Sequence, residues 1–329
     1  MDEVIYREKL SKSLRHVFDS RDLPLYGMMS YHFGFHESEI EFSPDYLHGV
    51  SLLLVSEFFG SSPDVAMSAA VALELINGFC EIHDDVQSGK PSRSGRDSLW
   101  WVWGPAQAIN AGDGMHALAR MELLLLPEKG FPSELSYQAI KLLDQATLKS
   151  CEGRFRDLDM QEKLDVSVAA YTKMASEKSG ALLGGALAVS GLLNDMDSSA
   201  QSELMYSGYL LGEAIQIKSD LDQLWKIPEG EGVDFLNKKK LYPVVLAMQK
   251  ATPTEKRKLG DVYFKRVLEP EDINVVREIV ENIGSKKEAE DRFDACIAEV
   301  EQILNKYNSN ADLSSQIISF ITNGSNDQS

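Results

Sequence analysis

The sequence predicts an all-α protein, one large helical bundle, and three observations carry that prediction. Apolar residues recur with a 3.6-residue period over long windows, alternating strand-like segments are nearly absent, and Pro and Gly punctuate the periodic runs. The clearest run opens at Ser62-Pro63-Asp64: Ser suits the cap, Pro the first turn, and Asp the positive end of the helix dipole. Val65, Ala69, Ala72, Leu73, Ile76, Phe79 and Cys80 then mark an apolar face leading into Asp84, and Gly89-Lys90-Pro91 ends the helix. A polar loop follows through Ser98. Further helical runs are expected over 105–126, 133–160, 166–193, 200–224, 239–249, 255–268, 271–283 and 286–307. Breaks fall between Pro127 and Pro132, at Pro228-Glu229-Gly230, at Thr252-Pro253 and at Glu269-Pro270. The expected organisation is a single domain over 1–322 with a disordered polar tail over 323–329.

With 329 residues and 43% hydrophobic content the chain can bury a sizeable core. Its net charge of −18 would repel nucleic acid and anionic lipid heads, so neither is an expected partner. No window approaches the roughly 18 apolar residues of a membrane span, and the opening MDEVIYREKL lacks a signal-peptide core. Cys80, Cys151 and Cys296 show neither pairing nor metal spacing and read as reduced, buried thiols. These features predict a cytoplasmic protein with no transmembrane segment.

Function is written most clearly at Glu81-Ile82-His83-Asp84-Asp85-Val86-Gln87-Ser88, followed by Arg93. Two adjacent carboxylates at the negative end of a helix dipole favour a nearby cation. A hard ion such as Mg²⁺ takes carboxylate oxygens and fills its shell with water and phosphate. The plainer reading of these residues alone is a solvated helix end.

The wider pattern resembles the trans-isoprenyl diphosphate synthases, and in particular the bacterial geranylgeranyl diphosphate synthase subgroup. Asp84-Asp85 to Ser88 and Arg93 resemble that family's Asp-Asp-x-x-Asp followed by Arg-Arg-Gly, with Ser88 at the last Asp and Ser94 at the second Arg. Trp100, Gly104 and Gln107 to Asp113, then Lys178-Ser179-Gly180, Gln216 to Asp220 and Lys239 to Pro243 match further pieces in order. The resemblance runs from about residue 70 to 245. It implies an isoprenoid-synthase-type bundle around a central apolar cavity. It also implies a homodimer, or a heterodimer with an active synthase.

The resemblance assigns an allylic isoprenyl diphosphate to Arg93, Lys178 and Lys239, with Gln216 facing the developing carbocation. Each of these cations, taken singly, reads as a surface salt bridge. Mg²⁺ falls to Asp84, Asp85, Asp220 and Asp222, although two of the family's three main ligand positions are Ser88 and Ser219. Asp84, Asp85, Gln216 and Asp220 are the implied catalytic group. Glu81, Ser88 and Ser219 are expected beside it. Phe79 either limits the length of the substrate tail or is a simple core residue, and Trp100, Trp101 and Trp103 read as core.

The family's isopentenyl diphosphate contacts fall on Asp45, His48, Asn77 and Ser94, so basic residues are absent and one charge is reversed. The expected activity is therefore ionisation of one allylic diphosphate of C10–C20 length. Cyclisation, elimination or prenyl transfer to an acceptor other than isopentenyl diphosphate would follow. A non-catalytic partner subunit is the alternative, and a chain-elongating geranylgeranyl diphosphate synthase is third.

Overall fold

The computed structural model describes residues 2–35, 44–163, 165–226, 233–269 and 271–324, and these are almost wholly helical. In chain order the helices are α1 (Glu3–Asp19), α2 (Pro24–His32), α3 (Leu47–Phe58), α4 (Pro63–Ser88), α5 (Leu99–Trp103), α6 (Pro105–Leu123), α7 (Ser133–Gln161) and α8 (Val168–Leu193). They continue as α9 (Ser198–Trp225), α10 (Val233–Leu236), α11 (Tyr242–Lys250), α12 (Pro253–Phe264), α13 (Asp272–Ile283), α14 (Ser285–Tyr307) and α15 (Ala311–Asn323). The runs expected from 105 onward all appear with shifted ends. The breaks at 228–230 and at Pro270, and the tail beyond 324, lie outside the described residues.

Two compact units emerge: Met1–Thr147 with Leu182–Tyr206 and Ile303–Ser329, and Leu148–Ala181 with Ser207–Gln302. The first is organised on α4, whose alanines let α3 and α6 pack closely. A Cβ on Gly112 of α6 would stand 2.7 Å from the His83 ring of α4, so a larger residue there would have to push that ring aside. Helix α3 went unseen in the sequence because every residue from Leu47 to Phe58 except Glu57 is buried, which erases the period. Helix α4 corrects another expectation, being long and apolar enough by composition to cross a bilayer. Its most apolar window is 78% buried inside the protein, as suits a core helix.

Smaller corrections follow from local geometry. Ser62 makes no side-chain cap bond, while Pro63 and Asp64 stand in the first turn of α4 as expected. Gly89 ends it as expected, in the left-handed region at φ 62°, with its N–H on the Asp85 carbonyl. The loop expected through Ser98 holds a short hairpin, β1 (Ser92–Arg93) and β2 (Arg96–Asp97), turning on Ser94 and Gly95 at φ 49° and 76°. Cys151 is exposed, not buried, and Trp101 and Trp103 are exposed on α5, not core.

The second unit holds two apolar clusters. Leu224, Phe235, Leu259 and Val276 anchor one, and Tyr171, Met174, Ile217 and Tyr242 anchor the other. A capping box starts α12: Thr252 accepts from the Glu255 N–H, and Glu255 accepts from the Thr252 N–H.

A buried acid sits where α4 meets α3. Glu74 is 2% exposed and accepts a 2.5 Å hydrogen bond from the Gly49 N–H. Burial pushes its pKa up to about 8, despite that bond. A carboxyl raised in the folded state gives stability that is complete below its unfolded value and is lost as pH rises through about 8. Glu74→Gln should flatten that decline and leave the protein at least about 1 kcal/mol more stable than wild type at pH 8.5. Chemical denaturation across pH checks this, and parallel curves for the two proteins would refute it.

Candidate functional site

In the first unit, the α4 C-terminus and the hairpin form a charged cluster. The hairpin register sets Arg93 directly opposite Arg96. Arg93 reaches back to α4, where its Nε donates to Asp85 Oδ2 at 3.0 Å and its Nη2 to Oδ1 at 2.8 Å. Its Nη1 lies 3.6 Å from Glu81 Oε1. Glu81 and Asp85 are four residues apart on one helix face, which is why a single guanidinium serves both. Burial of this arginine would favour its neutral form, but Glu81 and Asp85 outweigh that and hold it charged.

The cluster extends to α2. His32 Nε2 lies 3.1 Å from Glu81 Oε2, and burial of Glu81 is outweighed by Arg93 and His32, so its pKa falls to about 2. Arg96 donates to the carbonyls of Tyr31 at 2.7 Å and His32 at 2.9 Å, tying the α2 C-terminus to the hairpin. Asp84 is half-buried and acts electrostatically on Arg93, while Ser88, one turn on, is exposed. Phe79 packs on the rings of His83 at 4.5 Å and His116 at 5.2 Å.

The expected isopentenyl diphosphate positions lie in the same unit. Asp45 accepts from the Leu47 N–H at 3.1 Å, His48 and Asn77 are buried, and Ser94 forms the hairpin turn. The two-residue turn has positive φ at both central positions, which Gly95 adopts without strain and Ser94 adopts despite its Cβ.

In the second unit, three helices approach at glycines. A Cβ on Gly212 of α9 would overlap the Gly180 backbone of α8, and one on Gly153 of α7 would overlap the Lys178 backbone. These approaches bring the Ser179 hydroxyl within 3.2 Å of Gln216 Oε1 and Asp157 within 2.7 Å of Lys178 Nζ. Gln216 Nε2 donates to Asp220 Oδ1 at 2.9 Å. Asp220 Oδ2 accepts from the Tyr171 hydroxyl and, at 2.6 Å, from the Tyr242 N–H. Asp222 pairs with Lys226 at 2.8 Å, and Ser219 and Lys239 are half-buried.

This geometry bears on Mg²⁺. Among the described residues, no three His, Cys, Asp or Glu side chains gather as a metal nest. Asp220, expected as a ligand, holds Gln216, Tyr171 and the start of α11, and Asp85 is braced by Arg93. Mg²⁺ binds through as few as one or two carboxylates when phosphate and water complete its shell. Asp84 with the Ser88 hydroxyl one turn on meets that minimum, so the residues fit an ion that arrives with a diphosphate. Residues the sequence reading did not single out are His32, Arg96, Asp157 and Tyr171. Arg96 alone carried a local signal, three residues after Arg93.

The polyprenyl synthetase family profile matches residues 46–283. This chain belongs to the polyprenyl synthetase family. It is 30% identical over 243 residues to a geranylgeranyl diphosphate synthase of Mycobacterium tuberculosis, covering 71% of this chain and 68% of that protein. The crystal structure of a polyprenyl synthetase from Streptomyces coelicolor A3(2) superposes with a TM-score of 0.82 at 26% identity, covering 97% of each chain. A geranylgeranyl pyrophosphate synthase from Corynebacterium glutamicum, complexed with isoprenyl diphosphate and magnesium, shares the fold at a TM-score of 0.81 and 18% identity, covering all of both chains. The fold is thus the all-α isoprenoid-synthase fold.

The glycine contacts are open to test. Gly212→Ala must push α9 off the Gly180 backbone and should cost at least about 2–3 kcal/mol, in the upper range for overpacking. Gly260→Ala, which meets only the Phe264 ring near 4 Å, should change stability far less. Equal denaturation midpoints for Gly212→Ala and wild type would refute the contact.

Proposed function

We propose that this member of the polyprenyl synthetase family is an enzyme of prenyl diphosphate metabolism that ionises one allylic diphosphate and does not use isopentenyl diphosphate as acceptor. The observation that carries this reading is the set Asp45, His48, Asn77 and Ser94 at the resemblance's isopentenyl diphosphate positions. An anion and three neutral or weakly basic groups there oppose a second diphosphate. Arg93, Lys178 and Lys239 are proposed as contacts of the allylic diphosphate, on the resemblance of their motifs.

Mg²⁺ is proposed at Asp84, with Ser88 beside it, and when bound it would neutralise charge on the leaving group. Gln216, fixed by Ser179 and Asp220, would present its amide dipole to the cation. A second copy of this chain is the proposed partner. Trp101, Trp103, Ile109, Met121 and Leu124 leave large apolar surface exposed on and just after α5 and α6 in the first unit.

Chain elongation is the second reading, favoured by the name of the mycobacterial relative. The test is incubation of purified protein with Mg²⁺ and geranyl, farnesyl or geranylgeranyl diphosphate, each with and without isopentenyl diphosphate. The expected result is consumption of one allylic diphosphate alone, with no longer prenyl diphosphate formed. Efficient elongation would instead establish the second reading. Absence of any turnover would point to a partner subunit.

If the first reading holds, Asp84→Ala should lower turnover at least about a hundredfold while the circular dichroism stays helical. Lys178→Ala and Lys239→Ala should each weaken diphosphate binding by roughly 1.5–3 kcal/mol, read by calorimetry.

A further inference from the structure

In the second unit, Lys240 lines a small apolar cavity that is partly open to solvent. Val244, Val245, Met248 and Leu259 supply apolar walls, and Tyr263 of α12 lines it as well. The cavity measures about 20 Å³, room for a group the size of a methyl or a water molecule. The Tyr263 hydroxyl is buried and has no hydrogen-bond partner among the described residues. Leaving a buried hydroxyl unpaired is costly, and a group bound in the cavity would relieve that cost. Burial holds the phenol well above its ordinary pKa, so the hydroxyl stays protonated and is a donor.

Lys240 is held loosely for a cation. Its Nζ donates to the Gln161 carbonyl at 3.4 Å, well beyond the usual length of a charged hydrogen bond. It also stands 4.8 Å from the centre of the Tyr263 ring. Among the described residues no acidic side chain pairs with it, and Lys238 acts on it as a like charge. Burial first, and Lys238 second, push its pKa down to about 8. Roughly a fifth of it is then neutral amine at about pH 7.4, against about one part in a thousand for an ordinary lysine. A neutral amine with an open approach is a nucleophile.

The walls restrict the product that such an amine can carry. A charged adduct would be as poorly placed there as the ammonium it replaces. A small amide suits the site: its N–H can donate to the Gln161 carbonyl, its oxygen can accept from Tyr263, and its methyl can meet the apolar wall. The run Lys238-Lys239-Lys240 concentrates positive charge in a chain of net charge −18, which favours an anionic acyl donor.

We propose that Lys240 is an acylation site that takes a small acyl group from an acyl phosphate, with the Tyr263 hydroxyl receiving the acyl oxygen. The lone pair of Nζ forms the new N–C bond, and the carbonyl pair moves onto the oxygen that Tyr263 stabilises. When that pair returns, the C–O bond to phosphate breaks and its electrons leave with phosphate. Nζ gives one proton to solvent. The products are a neutral amide and inorganic phosphate, and no step draws on prenyl diphosphate chemistry.

The experiment incubates the full-length protein with acetyl phosphate at a series of pH values, and peptide mass spectrometry follows acetylation at each lysine. Lys256 and Lys258, exposed on α12, serve as internal references. At about pH 7.4 Lys240 should react at least about tenfold faster than either, and its rate should level off above about pH 8 while theirs keep rising. Tyr263→Phe, which keeps the ring, should slow Lys240 at least about fivefold relative to the references. Equal rates at Lys240 and the references overturn the proposal, as does a Lys240 rate that climbs in parallel with theirs. An unchanged rate in Tyr263→Phe overturns the part assigned to the hydroxyl. Should that variant fail to fold, the wild-type pH profile at Lys240 still decides the matter.

Discussion

The first unit depends on one half-buried cation. Arg93 binds Asp85 through two nitrogens and stands against Glu81, in a chain whose net charge is −18. Without it, two acids one turn apart would face each other at the negative end of the α4 dipole. Burial and like charge there both push a carboxyl toward its neutral form, and Arg93 opposes them. The pair is therefore less a source of net stability than a condition for having acids at this place, since removing one partner of a buried pair costs about 3–5 kcal/mol. What Arg93 holds in turn holds His32, and what the paired Arg96 holds is the backbone of the same histidine. Two arginines opposite each other across a two-residue turn thus fix the geometry of three elements.

That turn shows where the sequence was legible and where it was not. Asp84, Asp85 and Arg93 stood out because carboxylates at a helix end and a nearby cation have a chemical meaning at short range. The consequence of Ser94-Gly95 was visible only as a missing arginine. Its positive role, a tight turn that sets Arg93 opposite Arg96, depends on strand register. The bundle itself was legible where one helix face meets solvent, as in α14, while α4, buried from Ala66 to Gly78, was legible by its Pro63 and Gly89 boundaries. It was not legible in α3, which is buried on nearly every side and so shows no period. The buried surroundings of Asp220 were hidden for a related reason. Its partners Tyr171 and Tyr242 lie 49 and 22 residues away, and only the folded chain brings them to one carboxylate.

Gly153 and Gly212 carry a similar lesson for the second unit. Neither has a side chain to attract notice, yet each lets a helix backbone come close enough to align a polar group. Lys178 meets Asp157 and Ser179 meets Gln216 because α7, α8 and α9 approach at these points. A bulkier residue at either glycine would separate groups that the sequence motif lists only as neighbours in pattern.

Each unit repeats one pattern: two of the three cations expected to receive a diphosphate already have acidic partners. Arg93 is held by Asp85 and Glu81, and Lys178 by Asp157. A diphosphate reaching either cation must displace a carboxylate or share the donor with it. A divalent cation changes that balance, because it gives a displaced carboxylate a new partner and bridges it to phosphate oxygens. Ligand and metal then favour each other's binding, and by linkage the gain is equal in both directions. The acidity of the chain, which on its own would repel a diphosphate, becomes the reason that a diphosphate without its metal ion should bind weakly.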